Sequence, residues 1–215
     1  MKKIFLIIII STVILNAQQN DNNIILKLKG GLTFSGLSYY SFHLISPGKN
    51  SYTIYPGYLI GIGIEYDNLI KFNTANLGFD FEASYGEATT GEVNFGNDKA
   101  KFETTSSPLL MWIKFKTQGQ IVPFLKVGLG ADNSTLSETF NNNIAYNFKL
   151  KDWFFVWGIG GGIEFNLLKN IRLSVFADNV IKEKWFKTKL KDGRNIDFSY
   201  RNSVIFCGVE CGYFL

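Results

Sequence analysis

Histidine occurs once in these 215 residues, at His43, and cysteine twice, at Cys207 and Cys211. A single imidazole excludes the two- or three-histidine sets that hold catalytic zinc. Two cysteines exclude a disulfide-dense secreted scaffold. On one extended strand, Cα atoms four residues apart are separated by roughly 13 Å, and a disulfide needs less than about 7 Å. Cys207 and Cys211 therefore cannot pair within a strand and read as small apolar residues. Proline is scarce at 4, and charged residues, at 19%, fall below the roughly 25% of an average soluble domain. No Pro-rich linker, repeat or low-complexity tract marks a second domain. An apolar content of 46% excludes a disordered chain. The 21 glycines follow no three-residue period, which excludes a collagen helix. A net charge of +4 is too small to argue for nucleic acid. No convincing 3.6-residue period is found, and no apolar run reaches the roughly 20 residues of a membrane-spanning helix.

The longest apolar run, Ile4 to Leu15, follows the basic start Met1-Lys2-Lys3 and precedes Ala17 and the polar Gln18-Gln19-Asn20-Asp21. This is the pattern of a secretory signal peptide cut after Ala17. The alternative is an uncleaved anchor. The expected division is residues 1–17 as signal peptide and 18–215 as one exported domain. Loss of Lys2 and Lys3 lowers the charge from +4 to +2. No cysteine near the cut supports a lipoprotein anchor.

The rest of the chain alternates in twos, the period of a strand. Leu26, Leu28, Gly30, Leu32 and Phe34 alternate with Lys27, Lys29, Gly31, Thr33 and Ser35. Similar alternation recurs over residues 58–66, 77–85, 109–115, 123–131, 153–165, 171–178 and 205–215. One face of each of these eight strands carries no charge. The other carries glycines, hydroxyls and eleven charges. Aromatic residues on the apolar face gather near strand ends: Phe34, Tyr58, Tyr66, Tyr85, Phe115, Trp153, Phe165 and Tyr213. An apolar band between aromatic girdles marks a barrel wall facing lipid, and a glycine-rich face suits the cramped inside of eight strands. Connections after the second, fourth and sixth strands are short, about residues 67–76, 117–120 and 166–170. Those after the first, third, fifth and seventh are long, about 36–56, 86–108, 132–151 and 179–197. The expectation is an all-β fold: an eight-stranded antiparallel up-and-down transmembrane β-barrel in a bacterial outer membrane, with the long loops outside.

Leu28-Lys29-Gly30-Gly31-Leu32-Thr33-Phe34-Ser35 resembles the first strand of the outer-membrane β-barrel domain family, the OmpX-like and PorT-like small barrels of Gram-negative bacteria. Pro56-Gly57-Tyr58 and Pro123-Phe124-Leu125-Lys126-Val127-Gly128-Leu129-Gly130 are similar to strands of that family. Val209, Cys211, Tyr213 and Leu215 resemble its carboxyl-terminal assembly signal, which usually ends in Phe; here the end is Phe214-Leu215. The resemblance implies fold and location rather than activity.

The charges on the inward face are Lys27, Lys29, Lys114, Lys126 and Arg172 against Glu65, Asp80, Glu82, Glu164, Asp178 and Glu210. In a narrow lumen such charges must pair, so a salt-bridged plug is expected rather than an ion or proton path. His43, with Ser41 and Ser46 nearby, is the one visible base for an outer-leaflet lipid-modifying enzyme, but no motif supplies an oriented nucleophile. Trp157-Gly158-Ile159-Gly160-Gly161-Gly162-Ile163 lacks both nucleotide-loop signatures and any following helix. Asn133-Ser134-Thr135 matches a glycosylation sequon without functional consequence in a bacterial barrel. The first long connection is apolar, with Tyr39, Tyr40, Phe42, Leu44, Ile45, Tyr52 and Tyr55. The last is basic, with Lys182, Lys184, Lys187, Lys189, Lys191 and Arg194 around Trp185. The first reads as a partner surface or a rim contact, the second as a contact for lipopolysaccharide phosphates or a solvated face. No catalytic, cofactor-binding or metal-binding residue is expected. The expected partners are outer-membrane lipids, lipopolysaccharide and an extracellular protein or surface ligand, with no nucleic acid, and the chain is expected to be a monomer. Two other readings stand beside this one: the lipid-modifying enzyme, and a soluble lipocalin-like barrel with its apolar faces turned inward around a ligand.

Overall fold

The alternating segments form a closed ring in the computed structural model, which describes residues 24–41, 48–89, 93–95, 98–142, 147–168, 170–189, 193 and 195–215. The expected signal peptide, His43 and Ser46 lie outside the described residues. The strands are β1 (Ile24–Ser41), β2 (Gly48–Lys71), β3 (Ala75–Thr89), β4 (Val93–Phe95), β5 (Asp98–Ser106), β6 (Pro108–Thr117), β7 (Ile121–Phe140), β8 (Phe148–Leu168), β9 (Ile171–Lys189) and β10 (Asn195–Phe214). Eight of them close the barrel in the order β1-β2-β3-β6-β7-β8-β9-β10, every pair antiparallel. A walk across the ladder from Lys27 passes Gly63, Glu82, Leu110, Gly130, Val156, Lys182 and Asn202. It returns to β1 at Leu37. The return lies ten residues beyond the start (37 less 27), the stagger that tilts strands in a closed barrel.

The apolar faces point outward, with Leu28 66%, Ile62 60% and Phe155 70% exposed, whereas Lys27, Lys114 and Arg172 are buried inside. Water would not stabilise such a continuous apolar wall; hydrocarbon does. The inward-facing lipocalin-like arrangement is therefore excluded. Cys207 and Cys211 are free and belong to this outward face. At the carboxyl end Tyr213 points out and is exposed, while the Phe214 ring lies 5.5 Å from the Arg172 guanidinium.

The strands extend beyond the expected ends, and the long connections correspondingly shrink. β1 continues to Ser41, β7 to Phe140 and β9 to Lys189. The connection at 86–108 contains the end of β3 and the β4–β5 hairpin, with β5 leading through Ser107 into β6. The reason is physical. Outward side chains must be apolar only where the wall meets hydrocarbon, so the alternation stops there. The backbone ladder continues into water because it satisfies N–H and C=O groups on any sequence.

Candidate functional site in the lumen and at the outer rim

Inward positions sort into layers. Along β9 they run Arg172, Ser174, Phe176, Asp178, Val180 and Lys182 from the inner end outward, all buried. The innermost layer centres on Glu65, which accepts from Lys114 at 2.9 Å, Lys116 at 3.1 Å and Arg172. Glu164 joins it through Lys114 and, at 3.0 Å, Arg172. Asp67 closes the layer by pairing with Lys116 and Arg172. The next layer centres on Glu82, which accepts from Lys27 and Lys126 at 3.0 Å each, from Lys29, and from the Trp112 indole N–H at 3.0 Å. Lys27 also binds Asp80 and Glu210, and Lys126 lies 2.9 Å from Asp178. The Lys126 ammonium stands 4.5 Å from the Trp112 ring and that of Lys114 4.2 Å from Phe124, so aromatic faces supply further attraction for the buried cations.

Outside these charges lies an apolar layer of Leu59, Leu110, Val156, Val180, Val204 and Phe206, all buried. Above it is a polar quartet. Asp132 accepts from the Ser106 hydroxyl and the Lys182 ammonium, each at 2.6 Å, and from the Ser107 backbone N–H at 2.8 Å. Lys182 also donates to Ser134. This quartet stitches the joint between β5 and β6, where Pro108 has no N–H to give the ladder.

Glycines make this filling possible. A Cβ on Gly128 or Gly158 would come within 2.5 or 2.7 Å of the Trp112 ring, so the indole occupies the space their side chains would take. At the inner mouth a cavity of about 380 Å³ is lined by Asp67, Lys116, Glu164 and Arg172 with the amides of Asn68 and Asn166. The charged and apolar layers close the lumen above it.

All eleven charges expected to face inward are buried in this network. Four more join them: Lys116, Asp67, Asp132 and Lys182. The lumen thus holds seven cations and eight carboxylates among the described residues. Strand parity carried the signal for the extra four: Lys116 follows Trp112 and Lys114, Asp67 follows Glu65, Asp132 follows Gly128 and Gly130, and Lys182 follows Asp178 and Val180. Lys182 was expected on an outer basic loop. It is corrected to a lumen residue because β9 keeps its register beyond the apolar band. Lys184 is half-buried and reaches the Asp152 carboxylate on β8 at 2.6 Å. That hydrogen bond holds the Asp152 carboxyl below its usual range. Ser41 ends β1, whereas the proposed base His43 lies outside the described residues, as do Lys191 and Arg194. Asn133 of the sequon is a strand residue paired with Trp153. Groups of three or more metal-ligating side chains are absent among the described residues.

The family model described as outer membrane protein beta-barrel domain matches residues 5–205. Among solved structures, the outer membrane protease OmpT from Escherichia coli aligns with a TM-score of 0.56 at 8% identity, over 90% of this chain and 97% of that one. The outer membrane protein OprG from Pseudomonas aeruginosa gives 0.49 at 10% identity, over 92% and 98%. The attachment invasion locus protein Ail of Yersinia pestis gives 0.41 at 12%, over 91% and 100%. At these identities the likeness is one of fold. No curated protein matches the sequence.

Proposed function

This chain belongs to the outer membrane protein beta-barrel domain family and is a bacterial outer-membrane barrel, and we propose that it acts through its outer surface rather than by conduction or catalysis. The observation that carries this reading is the filled lumen. Charged side chains paired layer on layer, with an apolar layer outside them, fill the lumen among the described residues, and eight strands enclose too little space for an aqueous channel. A lumen residue network of this kind stabilises and stiffens the wall. The extended strands beyond the apolar band then serve as a rigid platform for partners in the outer leaflet or outside the cell.

Reconstitution in planar bilayers tests the first half: no stepwise conductance is expected, and steps reproducible across preparations would overturn the closed-lumen reading. Incubation with phospholipid and lipopolysaccharide followed by mass spectrometry tests the second. Unchanged lipids are expected. Lipid conversion that disappears in His43→Ala would make the protein an enzyme instead.

A further inference from the structure

The outward face of the β7–β8 pair carries an unusual vertical order. On β8, Lys149 and Lys151 are exposed and stand directly above Trp153, Phe155 and Trp157, which are 55%, 70% and 52% exposed. On β7, Ser137 is registered with Lys149, Thr135 with Lys151 and Asn133 with Trp153. All six of these upper side chains share one face, and directly opposed residues in an antiparallel pair have Cβ atoms about 5 Å apart. Each lysine therefore has a hydroxyl beside it, a pairing suited to a phosphate oxygen, which takes one charged and one neutral donor. Along a tilted strand, Lys151 lies roughly 5 Å above Trp153, about the height of a headgroup phosphate over the aromatic girdle.

Two acids beside this strip, Asp152 and Glu103, are each engaged by another lysine. Asp152, between the two lysines in sequence, is engaged by Lys184 across the gap to β9. On the other flank of β7, Glu103 of β5 is registered with Ser137 and is engaged by Lys101 at 2.7 Å.

We propose that the β7–β8 wall is a binding site for a phosphorylated glycolipid of the outer leaflet. Its phosphates sit between Lys149 and Ser137 and between Lys151 and Thr135, and its acyl chains lie along Trp153, Phe155 and Trp157. This goes beyond a generally surface-acting barrel, and it stands or falls independently of conduction and catalysis.

The test uses the full protein in nanodiscs of zwitterionic phospholipid, titrated with bisphosphorylated lipid A, dephosphorylated lipid A and inorganic phosphate. Quenching of tryptophan fluorescence by brominated acyl chains on the lipid A is the readout. Saturable binding of the bisphosphorylated form is expected, at least tenfold tighter than the dephosphorylated form. The pair Lys149→Glu and Lys151→Glu should weaken it at least tenfold, Lys149→Arg with Lys151→Arg should retain it, and Lys71→Glu at the inner end of β2 should leave it unchanged. Equal binding of the two lipid A forms, or no loss in the charge-reversed variant, would overturn the proposal. Full competition by millimolar inorganic phosphate would overturn the lipid assignment and make this a site for free phosphate. The substituted lysines are exposed and outside the lumen, so the variants fold, which the heat-dependent shift in gel mobility verifies.

Discussion

Glu65 is the acceptor for three cations and is itself fully buried. Replacing it by Leu leaves Lys114, Lys116 and Arg172 sharing Asp67 and Glu164. Removing one partner from a buried ionic network costs about 3–5 kcal/mol, because the remaining charges stay desolvated. Glu65→Leu should lower the stability of the lipid-embedded barrel by that amount in urea titration, with no conductance appearing. A second residue-scale test concerns shape. Gly158→Val places methyl groups where the Trp112 ring lies, an overpacking penalty of about 1–3 kcal/mol. The penalty should shrink in a Trp112→Ala background. An additive pair would mean that the ring and the glycine do not share the space.

The extended outer ends are the element that separates this barrel from a ring trimmed at the membrane. The β8–β9 ladder ends at Val156 and Lys182, although both strands run on along β7 and β10 respectively. Above that point the Lys184–Asp152 pair joins them. Since Lys184 lowers the Asp152 pKa in the folded state, the pair's contribution is complete above the unfolded value, roughly 3.9. It disappears as pH falls through the lower folded value. Hydrogen exchange corrected for intrinsic rates should show steady protection of residues 148–155 between pH 5 and 8, then loss below about pH 4. Asp152→Asn should give the weaker protection at every pH. A loss centred near pH 6 would point to a different group.

For the whole molecule, membrane embedding makes a definite demand on the wall. Ile62 lies midway along the apolar band and is 60% exposed. In water an exposed Arg there would be harmless. In a bilayer an Arg near the midplane costs about 2–4 kcal/mol. Ile62→Arg should therefore reduce stability in lipid by that amount and lessen the fraction of protein that resists SDS without heating. The same change at Lys151, above the aromatic girdle, should cost little. Equal effects at both positions would contradict the placement of the band.

The eight strands of the ring, the lipid-facing side and eleven of the lumen charges were written in local alternation, whereas the β4–β5 hairpin was not. A period of two reports which side each residue faces, and only hydrocarbon demands an uncharged outer side. Where that demand ends, the sequence loses its mark. The outer extensions of β1, β7 and β9 therefore emerged only from the closed ladder, which keeps the parity that turns Asp132 and Lys182 inward above the band. The ten-residue stagger is likewise a tertiary property, since it depends on how the last strand meets the first. So is the column of hydroxyls beside Lys149 and Lys151: residues 135–137 and 149–151 become neighbours through the register of β7 on β8. Sequence determined which side chains face lipid and which face inward. Ring closure decided which of them meet, because pairing across strands is set by hydrogen-bond register rather than by spacing along the chain.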